Sequence, residues 1–172
     1  MTTAFLSIVG RKGSGKSDVL SELISHLSVK GFRVGVLKRL AREDVEIDEP
    51  GTDTYQYRTS GAETVVLAGK KRLALFSNLH EEIPLKNLFQ FFEGFDLVFL
   101  EGYVQNEFPK IEIHKKELGE FLLTEQVKNV IAVCSDGEKR AGVPHFLLNE
   151  LNQLASLIEQ QILKTEDFSS AY

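Results

Sequence analysis

The sequence predicts an α/β fold, a mostly parallel sheet layered between helices, and three observations predict it. Apolar runs of strand length recur at Ala4–Val9, Phe32–Leu37, Leu97–Leu100 and Val130–Val133. Helical spacing appears in Val19, Leu20, Leu23, Ile24 and Leu27, and again in Leu151, Leu154, Ala155, Ile158 and Ile162. Between the first run and the first helical segment stands Gly10-Arg11-Lys12-Gly13-Ser14-Gly15-Lys16-Ser17, which reads G-x-x-x-x-G-K-[ST].

A strand, that octapeptide and a helix make a phosphate-binding P-loop, so the expected fold is the P-loop NTPase three-layer sandwich with helices on both faces. The residue types follow from the chemistry. Gly10, Gly13 and Gly15 let backbone N–H groups crowd against phosphate oxygens where side chains would block them. The helix beginning near Lys16 adds the positive end of its dipole. Lys16 reaches the outer phosphates as a catalytic point charge, and the Ser17 hydroxyl is a Mg²⁺ ligand. The nucleotide-binding set expected here is Gly10, Arg11, Lys12, Gly13, Ser14, Gly15, Lys16, Ser17 and Asp18.

Composition bounds the rest. A chain of 172 residues is expected to form one nucleotide-binding domain over 1–164, with a polar, frayed tail at 165–172. The formal net charge of −5 supplies no basic field for nucleic acid. Cys134 stands alone, which excludes an internal disulfide and an all-cysteine metal cage. No stretch of eighteen apolar residues or charged leader is present, so a cytoplasmic protein without membrane partners is expected.

The first helix should end at Gly31, and the second strand at Lys38-Arg39. Ligands of open α/β sheets gather at the carboxyl ends of strands, which makes Lys38 a candidate. The charged, aperiodic stretch Ala41–Gly51 reads as a loop whose Asp48, with Asp53 just beyond it, is a candidate for the magnesium site. Thr52 can cap a short helix ending at Gly61. Two β-rich runs around Gly69-Lys70-Lys71 signal a hairpin, expected to make part of the sheet antiparallel. Pro84 opens a helical stripe of Leu85, Leu88, Phe89 and Phe92, expected in the core.

The run Leu97–Leu100 ends in Glu101, where P-loop proteins hold the magnesium shell; Asp96 sits at the wrong end of that strand. Lys110–His114 alternates polar and apolar residues like a half-exposed strand, with His114 on its polar face. After Val130–Val133 come Ser135-Asp136-Gly137, ordinary turn chemistry but also a place to read a nucleotide base. The Asp136 carboxylate can accept from the N1–H and 2-amino group of guanine, a donor pair that adenine lacks. Asn149 can cap the final helix, and Cys134 reads as inert core.

Taken together, the P-loop, Arg33–Lys38, Asp44–Asp48, Pro50-Gly51, Asp53, Gly61-Ala62, Asp96–Tyr103 and Pro109-Lys110-Ile111 resemble the molybdopterin-guanine dinucleotide biosynthesis protein B family. The resemblance runs from about residue 4 to 162. It implies a homodimeric, Mg–GTP-binding accessory protein with weak GTPase activity. Such a protein assists a molybdopterin guanylyltransferase, and molybdopterin or its molybdenum form is a further ligand. By position it implies Ser17 and Glu101 at Mg²⁺, Lys38, Asp48 and Asp53 around the cleft, and Ser135-Asp136 near the base. Two features depart from the family. Asp18 replaces a second hydroxyl residue and adds negative charge near the phosphates, and the histidines usual soon after the strand-end lysine are missing between Lys38 and Gly51, where Arg39 and Arg42 supply basic groups instead. The rival from another class is a small-molecule kinase using ATP or GTP, with the Lys38–Asp53 loop on the acceptor; a third is a non-catalytic module whose nucleotide state gates a partner.

Overall fold

The apolar runs become strands of one parallel sheet, and their register decides what the loops between them can do. The computed structural model describes residues 3–40, 42, 45–119, 127–137 and 142–164. The chain divides into two compact units, residues 1–41 with 91–172, and residues 42–90. The tail expected at 165–172 lies outside the described residues.

In the larger unit the elements are β1 (Ala4–Val9), α1 (Lys16–Val29), β2 (Val34–Lys38), β5 (Leu97–Glu101), β6 (Lys110–His114), β7 (Val130–Ser135), β8 (His145–Leu147) and α4 (Leu151–Ile158). The six strands lie in the order β2-β5-β1-β6-β7-β8, every neighbouring pair parallel. The chain leaves β1 towards β2 on one side and reaches β6 on the other. That reversal opens a crevice at the carboxyl end of β1, the place where such sheets take ligands.

One sheet face is apolar. Leu6, Ile8, Leu97, Phe99, Ile111 and Ile113 pack there under Val19, Leu20, Leu23 and Leu27 of α1 and Leu151, Leu154, Ala155 and Ile158 of α4. Each such leucine or isoleucine contributes about 2 kcal/mol by leaving water. The helix α1 stops where expected, with Gly31 at φ 92° in the left-handed region. The final helix differs in its cap. Glu150 rather than Asn149 is the N-cap residue, and its Oε2 accepts from the Leu147 N–H at 2.8 Å, reaching back to the strand instead of forward into α4. A wider turn, Glu159–Leu163, continues α4 and buries Ile162.

The opposite face is buried too, and sets polar residues beside apolar ones such as Val98, Leu100 and Val133. Ser7, Lys110, Glu112, His114 and Ser135 are all buried. This corrects the half-exposed reading of β6: its polar face is buried as well as its apolar one. The segment after β5 covers part of that face. Asn106 Nδ2 donates to Ser7 Oγ (2.9 Å) and to the Tyr103 carbonyl (2.6 Å), while Lys110 Nζ donates to the carbonyls of Asn106 (2.6 Å) and Phe108 (2.9 Å). Burial holds the Lys110 pKa below the usual lysine value, with Glu107 opposing the shift. Asp96 serves structure: its Oδ2 accepts from the Arg33 N–H at 2.6 Å, joining the starts of β2 and β5.

The smaller unit holds α2 (Asp53–Thr59), a two-stranded antiparallel sheet of β3 (Thr64–Ala68) and β4 (Leu73–Ser77), and the single turn α3 (Leu85–Leu88). Thr52 caps α2 by accepting from the Tyr55 N–H at 3.3 Å. The hairpin forms as read, but as its own sheet rather than as an edge of the parallel one. Phe89 and Phe92 lie in a 3-10 turn after α3 and are only half-buried, not core; Phe92 meets Phe95 edge-on at 5.7 Å in the larger unit.

Candidate phosphate-binding site

Three backbone torsions shape the loop between β1 and α1. Gly10, Gly13 and Gly15 have φ of 152°, 85° and 84°, conformations that a side chain disfavours. At Gly10 a Cβ would also sit 2.3 Å from the Ile113 carbonyl oxygen, so glycine is required sterically as well. Gly15 is the N-cap of α1, with no side chain over the helix N–H groups. The Ser14 hydroxyl is buried inside the loop and has no hydrogen-bond partner among the described residues. An anion threaded into the loop would offer that donor, and the open N–H groups, an acceptor.

Lys16 starts α1 and folds over the loop. Its Nζ donates to the carbonyls of Gly10 (2.9 Å) and Arg11 (2.7 Å). Burial lowers its pKa; Glu101 pulls the other way, and Lys38 adds to the lowering. Those two residues arrive by strand register. Ile8, Glu101 and Lys38 pair in one row across β1, β5 and β2. Lys38 Nζ lies 3.2 Å from Glu101 Oε2, with the carboxylate largely buried and the lysine half-exposed. The structure therefore brings Lys16, Lys38 and Glu101 together at the carboxyl edge of the sheet. A hydroxyl and a carboxylate, Ser17 and Glu101, are the hard oxygen donors that suit Mg²⁺.

Asp136 lies at the end of β7, where its Oδ1 accepts from the Lys116 N–H at 2.7 Å. Ser135 is fully buried. Its hydroxyl bonds His145 Nε2 at 2.8 Å and accepts from the Gly137 N–H at 3.1 Å, so it holds the turn rather than facing solvent. Cys134 is buried beside it, with burial and then Glu150 pushing its thiol up to about 12.

In the smaller unit, Asp48 is engaged from several sides. Its Oδ1 accepts from Thr54 Oγ1 (3.0 Å) and the Glu49 N–H (2.9 Å), and its Oδ2 pairs with Arg58 at 3.3 Å. Arg58 also bonds Glu46, which lowers the carboxyl's pKa and raises that of the guanidinium. Asp53 occupies the first turn of α2, where its charge complements the helix dipole. Among the described residues no three His, Cys, Asp or Glu side chains gather as a metal cage.

Residue-level reading missed Arg11's contact and Lys115. Arg11 Nη1 donates to the Leu118 carbonyl, pinning the loop to the turn after β6. Lys115, the first residue beyond β6, lies against Gly15. The strand order was the absent signal: only the pairing of Val9 with Glu112 brings the end of β6 beside the P-loop.

Among known proteins, the family model described as molybdopterin guanine dinucleotide synthesis protein B matches residues 5–136. The chain is 31% identical to a molybdopterin-guanine dinucleotide biosynthesis adapter protein of Haemophilus influenzae, over 90% of this chain and 86% of that one. It is 30% identical to the adapter protein of that name from Escherichia coli, over 92% of this chain and 93% of the other. A crystal structure of molybdopterin-guanine biosynthesis protein B superposes with a TM-score of 0.71 at 28% identity, covering 91% of this chain and 98% of that one. Bacillus subtilis MobB, at 24% identity, shares the fold with a TM-score of 0.73 over 94% and 99% of the two chains. Among the described residues, no helix is long and apolar enough to cross a membrane.

Proposed function

The chain belongs to the molybdopterin guanine dinucleotide synthesis protein B family, and from that premise we propose that it is a Mg–GTP-binding adapter with slow GTPase activity that assists a molybdopterin guanylyltransferase. The observation that carries this reading is the convergence of Lys16, Lys38 and Glu101 beside a loop whose glycines open its N–H groups.

Lys16 would exchange its two loop carbonyls for the outer phosphate oxygens. Ser17 and Glu101 would hold Mg²⁺, which would supply positive charge against that developing on the β,γ bridge. Lys38 orients the Glu101 carboxylate by pairing with one oxygen. Asp136, with one oxygen committed to Lys116, is left Oδ2 for the N1–H and 2-amino group of guanine, and Ser135 holds that turn. Asp48 shapes its own loop, and Asp53 serves the helix start of α2. The protein acts in the cytoplasm as a homodimer. The exposed apolar side chains of Val66, Leu73 and Leu75 on the hairpin support a self-association surface. Molybdopterin, or its molybdenum form, is the ligand shared with the partner enzyme.

Calorimetry with Mg²⁺ and GTP or ATP tests the nucleotide assignment. GTP should bind at least tenfold more tightly, and Asp136→Asn should erase most of that preference while leaving triphosphate affinity within about threefold. Equal or tighter ATP binding would remove the guanine reading. Turnover that rises only with a particular small-molecule acceptor would favour the kinase alternative.

A further inference from the structure

One cation reaches the P-loop from a strand that the phosphate reading does not use. Lys115 follows β6, with its Cε and Nζ 3.5 and 3.9 Å from the position a Cβ would take on Gly15. Asp18 Oδ2 stands 4.0 Å from the same point. The bare Cα at the head of α1 is thus flanked by an ammonium and a carboxylate. Lys115 is held there from both sides. It is the N-cap of the Lys116–Leu118 turn, whose Leu118 carbonyl accepts from Arg11 of the P-loop and whose Lys116 N–H donates to Asp136. The Leu118 N–H closes the turn on the Lys115 carbonyl at 3.0 Å.

The electrostatic consequence follows from Asp18. In the first turn of α1, Asp18 uses the positive end of the dipole that a phosphate would otherwise use, and repels an incoming anion. A second positive charge at the same spot reverses that sign. We propose that Lys115 is a phosphate-positioning residue on the helix side of the loop, whose charge offsets Asp18 and lets a nucleoside di- or triphosphate seat against α1. This rests on the nucleotide reading given above and deepens it. Lys115 acts on the phosphates near α1, shared by di- and triphosphates, whereas Lys16 acts on the outer ones.

Calorimetry of the full chain with Mg–GDP and Mg–GTP tests it. Lys115→Ala and Lys115→Gln should each weaken both nucleotides by roughly tenfold, and Lys115→Arg should stay within about threefold of the parent. Asp18→Asn should tighten both, and in that background Lys115→Ala should cost at least about threefold less, because part of its task has gone. Unfolding midpoints measured alongside separate binding from folding, and the half-exposed Lys115 should leave them unchanged. Lys115 variants that bind within about twofold of the parent, while Lys16→Ala loses binding, overturn the Lys115 assignment alone. A parent protein that binds neither nucleotide, or is indifferent to Lys16→Ala, removes the phosphate site itself.

Discussion

Two acidic regions of this molecule look alike in sequence and differ in what their carboxylates do. Glu101 ends a buried strand and meets Lys38 on one oxygen, with Lys16 close enough to feel its charge. Asp48 sits in a charged loop and is engaged on both oxygens, by Thr54, the Glu49 N–H and Arg58. The first arrangement keeps a carboxylate available at the end of a sheet; the second spends one to fold a loop. An acid in a candidate site is therefore judged by how many of its acceptor positions the protein already fills.

The comparison breaks most sharply at Lys16. Lys16→Ala should weaken Mg–GTP binding by roughly a hundredfold or more if, as proposed, its charge serves the outer phosphates. Calorimetry reads the loss, and a retained affinity would mean that the loop holds no triphosphate. Asp48→Ala should act in the other currency. It should lower the unfolding midpoint by ~5 °C through loss of a hydrogen-bonded hub, with nucleotide affinity changed less than about twofold. A Mg²⁺-dependent fall in GTP affinity without loss of stability would instead make Asp48 a ligand.

The smallest effect concerns Cys134, beside the Ser135–Asp136 turn. Its folded pKa is raised from 9.0 to about 12, so above pH 9 the unfolded chain loses a proton that the folded chain keeps. Stability is then unaffected by this group below pH 9 and falls as the pH rises from 9 towards 12. Urea titrations at several alkaline pH values should show that slope, and Cys134→Ala should flatten it. Native Cys134 should also alkylate far more slowly than the unfolded chain.

Much of the larger unit was legible because its signals are local. The P-loop, the stop at Gly31 and the buried run ending in Glu101 each state their geometry within a few residues. The Thr52 cap of α2 was equally plain. The misreadings share a cause, contacts made far along the chain: Lys110, Glu112 and His114 look solvent-facing in an alternating pattern, yet all three are buried, and Lys110 lies under the segment that follows β5. The hairpin announced its turn but not which sheet it would join. Phe89 and Phe92 kept helical spacing on a helix that lasts a single turn.

The sequence by itself determined the phosphate loop, the strand-ending acid and the family, because glycine placement, a lysine at a helix start and apolar runs act over short chain distances. Only the tertiary structure decided that Lys38 would reach Glu101, that Asp48 would be filled by its own loop, and that Lys115 would stand at Gly15. Those outcomes depend on which strands become neighbours. Strand order is set by the burial of whole faces, a property of the assembled sheet that no short stretch of residues contains.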